Sequence, residues 1–382
     1  MTKKLRIGVI FGGRSSEHEV SLTSAACVLE AIDKTKYEVV PIGITKAGQW
    51  LTGKNVLKLL SQQTDEPDKI GATAGALISL LPEPKEGDLV RVDTREGLTE
   101  NLGGGAGLDI VFPVLHGTYG EDGAMQGLLE LADVPYVGAG ITGSAVAMDK
   151  AMAKAVFQAE GLPQLPYAVV LRSEWERDPV SVEQTVAELG YPCFVKPASL
   201  GSSVGISKVK KLDDLHKALQ EAARYDRKFV LEKDAGNARE VECSVLGNDE
   251  PTASTVGEVV PSREFYDYMA KYHDQSSELI IPARISSKTM SKIQDLAIRA
   301  FKALDMAGMG RVDFFVDKET EEIYINEINS IPGFTPISMY PKLWEASGLS
   351  YPELIDRLIQ LALARHEDKG RNLTSFVPQE HK

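Results

Sequence analysis

The apolar residues of this chain fall into short continuous runs separated by stretches of helical spacing. Residues 5–11 form one such run, ending in Gly12-Gly13; this is the pattern of a buried parallel strand opening into a glycine turn. Val20, Leu22, Ala25, Ala26 and Leu29 then recur with helical periodicity behind Ser15 or Ser16, either of which can cap the helix, with Glu19 three residues after Ser16. Tyr37–Ile44 is the next strand, so the chain opens on the strand–helix–strand unit of a doubly wound parallel-sheet domain. From 64 to 107 glycine, proline and charge dominate, as in Pro82-Glu83-Pro84 and Gly103-Gly104-Gly105, and a peripheral insertion with little core is expected. Residues 109–115 are again a buried strand, leading into His116-Gly117, and a short strand over 135–140 closes a first domain, 1–140.

The remainder divides in two. In 141–232 the pattern predicts helices over 149–160, 182–190 and 212–224 and strands over 167–171, 194–196, 206–209 and 229–232. A hairpin around the Ser/Gly-rich loop 198–205 marks a small α+β unit. In 233–382 strands are expected over 240–247, 255–260, 311–316 and 323–329, and helices over 291–304 and 351–365. Residues 265–277 form a polar, aromatic-rich loop, and the tail after Asp368 reads as disordered.

Strands 311–316 and 323–329 carry the strongest chemical signal. Side chains alternate faces along a strand, so Arg311, Asp313 and Phe315 share one face, and Ile323, Ile325, Glu327 and Asn329 share another. The short polar connection predicts an antiparallel hairpin with Asp313 opposite Glu327 and Arg311 opposite Asn329. Opposed like charges repel unless something positive lies between them. Two carboxylates and an amide carbonyl are hard oxygen donors that suit Mg²⁺ shared with phosphate; the competing reading is a solvated hairpin face.

Composition narrows the class. Of 382 residues, 43% are hydrophobic and 25% charged, as in a globular protein with a substantial core, and the length predicts two or three domains. The net charge of -13 disfavours nucleic acid as a partner and requires any phosphate site to gather its lysines locally. Cys27, Cys193 and Cys243 are too widely spaced for a metal motif or a disulfide framework. The first apolar run is too short for a signal peptide, and no stretch approaches the roughly 20 apolar residues of a spanning helix. A cytoplasmic protein with no membrane partner is expected.

In the loop Lys196-Pro197-Ala198-Ser199-Leu200-Gly201-Ser202-Ser203-Val204-Gly205, backbone N–H groups and hydroxyls can approach phosphate oxygens, with Lys196 as a point charge at its base. The order of residues is not that of a P-loop, and an ordinary hairpin turn gives the same composition. Gly12-Gly13 lacks the spacing of a nicotinamide site. Glu17 can cap its helix, stay solvated or capture a substrate ammonium, and His116 is either a substrate contact or a satisfied loop histidine.

In order along the chain, Gly12-Gly13-Arg14-Ser15-Ser16-Glu17-His18-Glu19-Val20-Ser21, Leu115-His116-Gly117-Thr118-Tyr119-Gly120-Glu121-Asp122-Gly123, Met148-Asp149-Lys150, the Lys196–Gly205 loop, Phe265-Tyr266-Asp267-Tyr268-Met269-Ala270-Lys271-Tyr272, Gly310-Arg311-Val312-Asp313 and Asn326-Glu327-Ile328-Asn329-Ser330-Ile331-Pro332-Gly333-Phe334-Thr335 resemble the motifs of D-alanine–D-alanine ligases. The resemblance runs from about Gly8 to about Leu363, and the ordered set is far more specific than any one motif. It implies an ATP-grasp fold, α/β and α+β, with three domains and ATP between the central and C-terminal ones. It also implies D-alanine and ATP as substrates, two Mg²⁺ ions (Mn²⁺ being a plausible substitute), a homodimer and a place in peptidoglycan precursor synthesis.

Residue by residue, the resemblance implies Lys150 and Lys196 at phosphates, with Asn326 beside them. Glu232 and Lys233 would meet adenine and Glu240 the ribose, although the stretch 234–239 is one residue longer than the family pattern. Asp313, Glu327 and Asn329 would hold the metal ions, and Lys271 would meet the transferred γ-phosphate. Glu17 would take the first D-alanine's ammonium, with His116 nearby. Arg311 and the Gly333 N–H would form an oxyanion site. Ser338 and Lys271 would face the second substrate's carboxylate, while Glu17, Ser202 and Tyr272 would be linked by hydrogen bonds. The implied reaction passes through a D-alanyl phosphate, which water destroys, so a lid over 265–275 is expected. D-lactate or D-serine as second substrate, another ATP-grasp carboxylate–amine ligase of the biotin-carboxylase type, and a non-catalytic ATP-binding protein are the alternatives.

Overall fold

The computed structural model of the chain describes residues 4–62, 76–82, 84, 89–93, 98–101, 107–260 and 278–375. Its first sheet contains β1 (Leu5–Gly12), β2 (Tyr37–Ile44), β3 (Trp50–Thr52), β4 (Ala76–Leu80), β5 (Leu89–Asp93), β6 (Leu98–Asn101) and β7 (Ile110–Val114), in the order β6-β5-β4-β3-β2-β1-β7. β1 runs parallel to β2 on one side and to β7 on the other. Strand order therefore reverses at β1, which is where a doubly wound sheet opens its crevice. Tyr136 makes a single parallel bridge to Val111 in place of the strand expected over 135–140.

The pairings from β2 out to β6 are antiparallel. The insertion expected to hold little core is thus corrected. β4 and β5 extend the sheet and bury Ile78, Leu80, Leu89 and Val90 at no more than 4% exposure. Three of these, Ile78, Leu80 and Leu89, pack in one cluster with Ile10, Ile42 and Val111. The alternation in these strands lasts only a few residues, and the glycine- and proline-rich connections around them dominate the composition.

The second sheet contains β8 (Tyr167–Leu171), β9 (Cys193–Pro197), β10 (Ser207–Val209) and β11 (Lys228–Lys233), antiparallel in the order β10-β9-β11-β8. Helices Pro179–Leu189 and Leu212–Ala222 cover one face. The third contains β12 (Ala238–Gly247), β13 (Thr252–Val260), β14 (Glu278–Ile280), β15 (Gly308–Asp317) and β16 (Ile323–Asn329), in the order β14-β13-β12-β15-β16. It rests on helix Ser287–Ala303, started by the Ser286 side chain, and on helix Lys150–Ala159. The closing helix, Tyr351–Lys369, buries Leu354, Ile355, Leu358 and Ile359 in one cluster with Ile7, Val9 and Phe112 of the first sheet and Met309 of β15. It ties the first and third sheets together and so fixes the cleft between them. The disordered tail expected after Asp368 lies partly outside the described residues; the helix itself runs on to Lys369.

Candidate active site

β16 is where the simple alternation fails. From Ile323 to Ile325 it pairs with Val316 to Phe314; then the register slips by one, and Asp313 faces Glu327 while Arg311 faces Asn329. The expected oppositions are present, but a bulge with Asn326 as the extra residue produces them. Ile323, Ile325 and Ile328 are buried. The set of Ile323, Ile325, Glu327 and Asn329 on one face is therefore corrected: the core requires Ile325 and Ile328 inside, and the bulge turns Asn326, Glu327 and Asn329 toward the cleft.

β12 extends the row. Glu242 pairs with Asp313 and Ser244 with Arg311, so Glu242, Asp313 and Glu327 stand side by side across three strands. Arg311 offsets two of these charges. Its Nε and an Nη each donate to Asp313 at 2.7 Å, and Nε lies 2.8 Å from Glu242. Burial works against the guanidinium's charge, but Asp313 and Glu242 outweigh it and hold the group well above its ordinary range. Lys150 Nζ lies 3.3 Å from Glu327, and Asn329 Nδ2 donates to Asp313 at 3.0 Å. The donor set of Asp313, Glu327 and Asn329 fits a hard divalent cation in kind. Among the described residues, however, no group of three or more His, Cys, Asp or Glu is arranged around a metal position; Asp313 is turned onto Arg311.

Between the second and third sheets lies a cavity of about 450 Å³, lined by seven lysine and arginine residues against five acidic ones. This is the local gathering of cations that a chain of net charge -13 needs. Asp149 starts helix Lys150–Ala159 by accepting from the Ala151 and Met152 N–H groups, which fixes Lys150 at the first helical position, and Lys150 Nζ donates to the Leu200 carbonyl at 2.8 Å. Lys196 on β9 donates to Glu232 on β11 and, at 3.2 Å, to Asn326 in the bulge. Burial raises the Glu232 carboxyl, but Lys196 and Lys154 outweigh it and hold it below the usual carboxylate range. Lys233 and Glu240 border the same cavity.

A smaller cavity of about 100 Å³ continues toward the first sheet, lined among others by Glu17, His116, Arg311, Gly333 and Ser338. Glu17 occupies the N-cap position of helix His18–Ala31 but makes no cap bond, which corrects the assignment of that position to Ser15 or Ser16. Ser15 instead accepts from the Glu17 N–H at 3.1 Å. The Glu17 carboxylate is thereby left to the cavity, where it accepts from the Ser202 hydroxyl. Two glycines make room for it: a Cβ at Gly117 would stand 2.6 Å, and one at Gly201 2.7 Å, from Glu17 Oε2. Ser202 and Ser203 have φ of 51° and 59°, a left-handed conformation costly for L side chains. Gly333 packs its Cα against the Ser338 hydroxyl, which also accepts from the Thr335 N–H at 3.0 Å.

His116 is held from both sides. Nδ1 donates to the Ile331 carbonyl and Nε2 accepts from the Ser24 hydroxyl, each at 3.0 Å. Burial pulls its pKa down to about 4, so the ring is neutral and serves to pin the 331–334 loop. Glu121 accepts from the Gly117 N–H at 2.9 Å and the Ile331 N–H at 3.3 Å; burial, then the neighbouring Glu17, push its carboxyl up to about 8.

The two cavities meet at Gly201, Ser202, Val259 and Glu327, which line both. The structure thus brings Glu17, Ser202, Lys150, Lys196, Arg311, Asp313, Asn326, Glu327, Asn329, Gly333 and Ser338 around one continuous cleft. Lys271, Tyr272 and the lid expected over 265–275 lie outside the described residues. Glu242, Glu121 and Lys154 were not singled out from sequence. Glu242 was detectable, because Glu240 and Glu242 alternate with Val241 and Cys243 on one strand; Lys154 had no signal beyond its four-residue spacing from Lys150.

Two antiparallel sheets clamping a cation-lined cavity, with an acidic strand row at its far wall and a doubly wound domain closing one end, define an ATP-grasp enzyme. The family models described as D-ala D-ala ligase N-terminus and C-terminus match residues 6–139 and 156–360. The D-alanine–D-alanine ligase of Ruminiclostridium cellulolyticum is 52% identical over 99% of this chain and 100% of its own. Among solved structures, the D-alanine–D-alanine ligase from Coxiella burnetii is 38% identical with a TM-score of 0.79, covering 96% of this chain and 98% of that one. The VanG D-Ala:D-Ser ligase from Enterococcus faecalis is 36% identical with a TM-score of 0.81, covering 94% and 100%. The chain belongs to the D-alanine–D-alanine ligase family, and as a member it is an ATP-dependent, ADP-forming ligase.

Proposed function

We propose that the cleft joins two D-alanines at the point where its two cavities meet, and that this meeting point at Ser202 and Glu327 is the observation that carries the reading. ATP occupies the larger cavity, with Lys150 and Lys196 on its phosphates, Glu232 and Lys233 at adenine and Glu240 at ribose. The first D-alanine occupies the smaller one, its ammonium on Glu17. Its carboxylate attacks the γ-phosphorus and ADP departs, leaving a D-alanyl phosphate. The amine of the second D-alanine, whose carboxylate is placed by Ser338, attacks the acyl carbon, and collapse of the tetrahedral oxyanion expels phosphate. Arg311 and the Gly333 N–H face that oxyanion; donors so placed contribute roughly 3–4 kcal/mol each. Two Mg²⁺ ions held by Asp313, Glu327 and Asn329 would neutralise phosphate charge when bound.

This reading includes three structural units, 1–140, 141–232 and 233–382, a homodimer, and a cytoplasmic location supplying dipeptide to peptidoglycan precursors. No helix among the described residues is long and apolar enough to cross a membrane. The test is product analysis with ATP and an equal mixture of D-alanine, D-serine and D-lactate. D-alanyl-D-alanine as the main product supports the reading. A mixed dipeptide or depsipeptide as main product replaces the second substrate, and no amino-acid-dependent ADP release refutes the site. Sedimentation near twice the chain mass of 41.6 kDa supports the dimer, and near the chain mass refutes it.

A further inference from the structure

Lys154 is a lysine at 2% exposure that reaches neither cavity. It projects from helix Lys150–Ala159 into an ion pair with one oxygen of Glu232, while Lys196 holds the other. The Tyr167 ring of β8 flanks its ammonium at 5.3 Å. Glu232, itself at 1% exposure, forms part of the wall of the larger cavity. A buried carboxylate held by two lysines is an expensive arrangement, and one of those lysines already has another task. In the proposed reading Lys196 serves the phosphates, and it is bonded also to Asn326 in the bulge.

We propose that Lys154 is the permanent counterion of Glu232 and, through it, a residue that sets base specificity: when a nucleotide draws Lys196 to its phosphates, Lys154 remains and keeps Glu232 an acceptor for the exocyclic amine of adenine. This rests on the reading that Glu232 faces the base. With Lys196 withdrawn and no Lys154, Glu232 is a lone carboxylate in a low-dielectric wall, and taking up a proton is its cheapest relief. A protonated carboxyl donates a hydrogen bond. It then no longer rejects a base that carries a carbonyl oxygen where adenine carries an amine. Burial, and after it the neighbouring Lys196, lower the Lys154 ammonium below the usual lysine range against the opposing pull of Glu232; withdrawing Lys196 removes that repulsion and leaves the pair of opposite charges seen in the geometry. Lys154 touches no substrate and acts by positioning and charge alone.

The experiment compares kcat/KM for ATP and for inosine triphosphate, which presents that carbonyl, in the full-length enzyme and three variants. Lys154→Met is expected to lower the ATP-to-ITP ratio at least tenfold, mainly through a raised KM for ATP. Glu232→Gln, whose amide both donates and accepts, is expected to lower it similarly. The double variant should match Glu232→Gln, since an amide needs no counterion; it also removes the unpaired buried charge, so it serves if Lys154→Met alone does not fold. A ratio unchanged by Glu232→Gln overturns the adenine reading and this inference with it. A ratio lowered by Glu232→Gln but unchanged by Lys154→Met, or lowered further in the double variant, overturns the role of Lys154 and leaves the adenine reading standing.

Discussion

The two cavities of the cleft are both built on buried charge, yet they hold it differently. In the larger one the cations nearest the junction are lysines, Lys196 shared between Glu232 and Asn326 and Lys150 between Glu327 and the Leu200 carbonyl, while its arginines, Arg239 and Arg284, are taken up by Glu258. In the smaller one the cation is Arg311, clamped to Asp313 by two bonds and to Glu242 by a third contact. A lysine is a point charge on a flexible stem that can exchange a carboxylate for an arriving phosphate; a guanidinium held by a fork of bonds cannot easily leave. The lysine side is suited to binding a charged ligand, and the arginine side to presenting a fixed donor to charge that develops only during reaction.

That contrast predicts different kinetic signatures. The largest effect is expected for Arg311→Lys, which keeps the charge and loses the fork. It should lower kcat by roughly 10²–10³-fold with little change in KM for ATP; steady-state kinetics decides, and a change confined to KM would dissolve the distinction between the two cavities. Glu327→Gln should lower kcat by a comparable or slightly smaller factor and flatten the dependence of rate on Mg²⁺. Near-normal turnover at saturating Mg²⁺ would remove Glu327 from the metal site. On the lysine side, Lys196→Met should act chiefly on ATP, raising its KM by about 10–100-fold, in line with loss of a hydrogen bond to a charged group.

How much of this could be read in the sequence follows the same division. The βαβ opening, the hairpin carrying Asp313 and Glu327, and the Gly/Ser loop were all legible, because runs of apolar residues and glycine clusters mark them directly. The bulge at Asn326 was not, although Ile325 and Ile328 standing three apart instead of two was its trace. The N-cap at Glu17 was misplaced because Ser15 and Ser16 are the better capping residues by type; tertiary demand for the carboxylate beside Gly117 and Gly201 decided otherwise. The strands within 64–107 were lost beneath their connections. Pairings such as Lys154 with Glu232 join residues far apart along the chain and leave no periodic mark.

Smaller effects sharpen the picture of the first substrate. Glu17→Gln should raise the KM of the first amino acid by about tenfold or more while sparing ATP, checked by varying each substrate in turn. The smallest effect concerns His116. Its pKa falls from 6.5 to about 4 on folding, so below about pH 6.5 the unfolded chain binds a proton that the folded one refuses. Stability is therefore expected to fall as pH drops from about 6.5 toward about 4, and His116→Gln should show a shallower fall in Tm over that window. Parallel profiles would mean that His116 ionises freely in the fold.

The most direct measurement follows oxygen. If the carboxylate of the first D-alanine attacks phosphorus at the junction of the two cavities, D-alanine labelled with heavy oxygen in its carboxylate must pass one labelled oxygen to each phosphate released with dipeptide. Mass analysis of the phosphate from a single round of ligation should show that transfer. Phosphate free of the label, with dipeptide formed, would contradict the acyl-phosphate route and with it the assignment of the junction at Ser202 and Glu327.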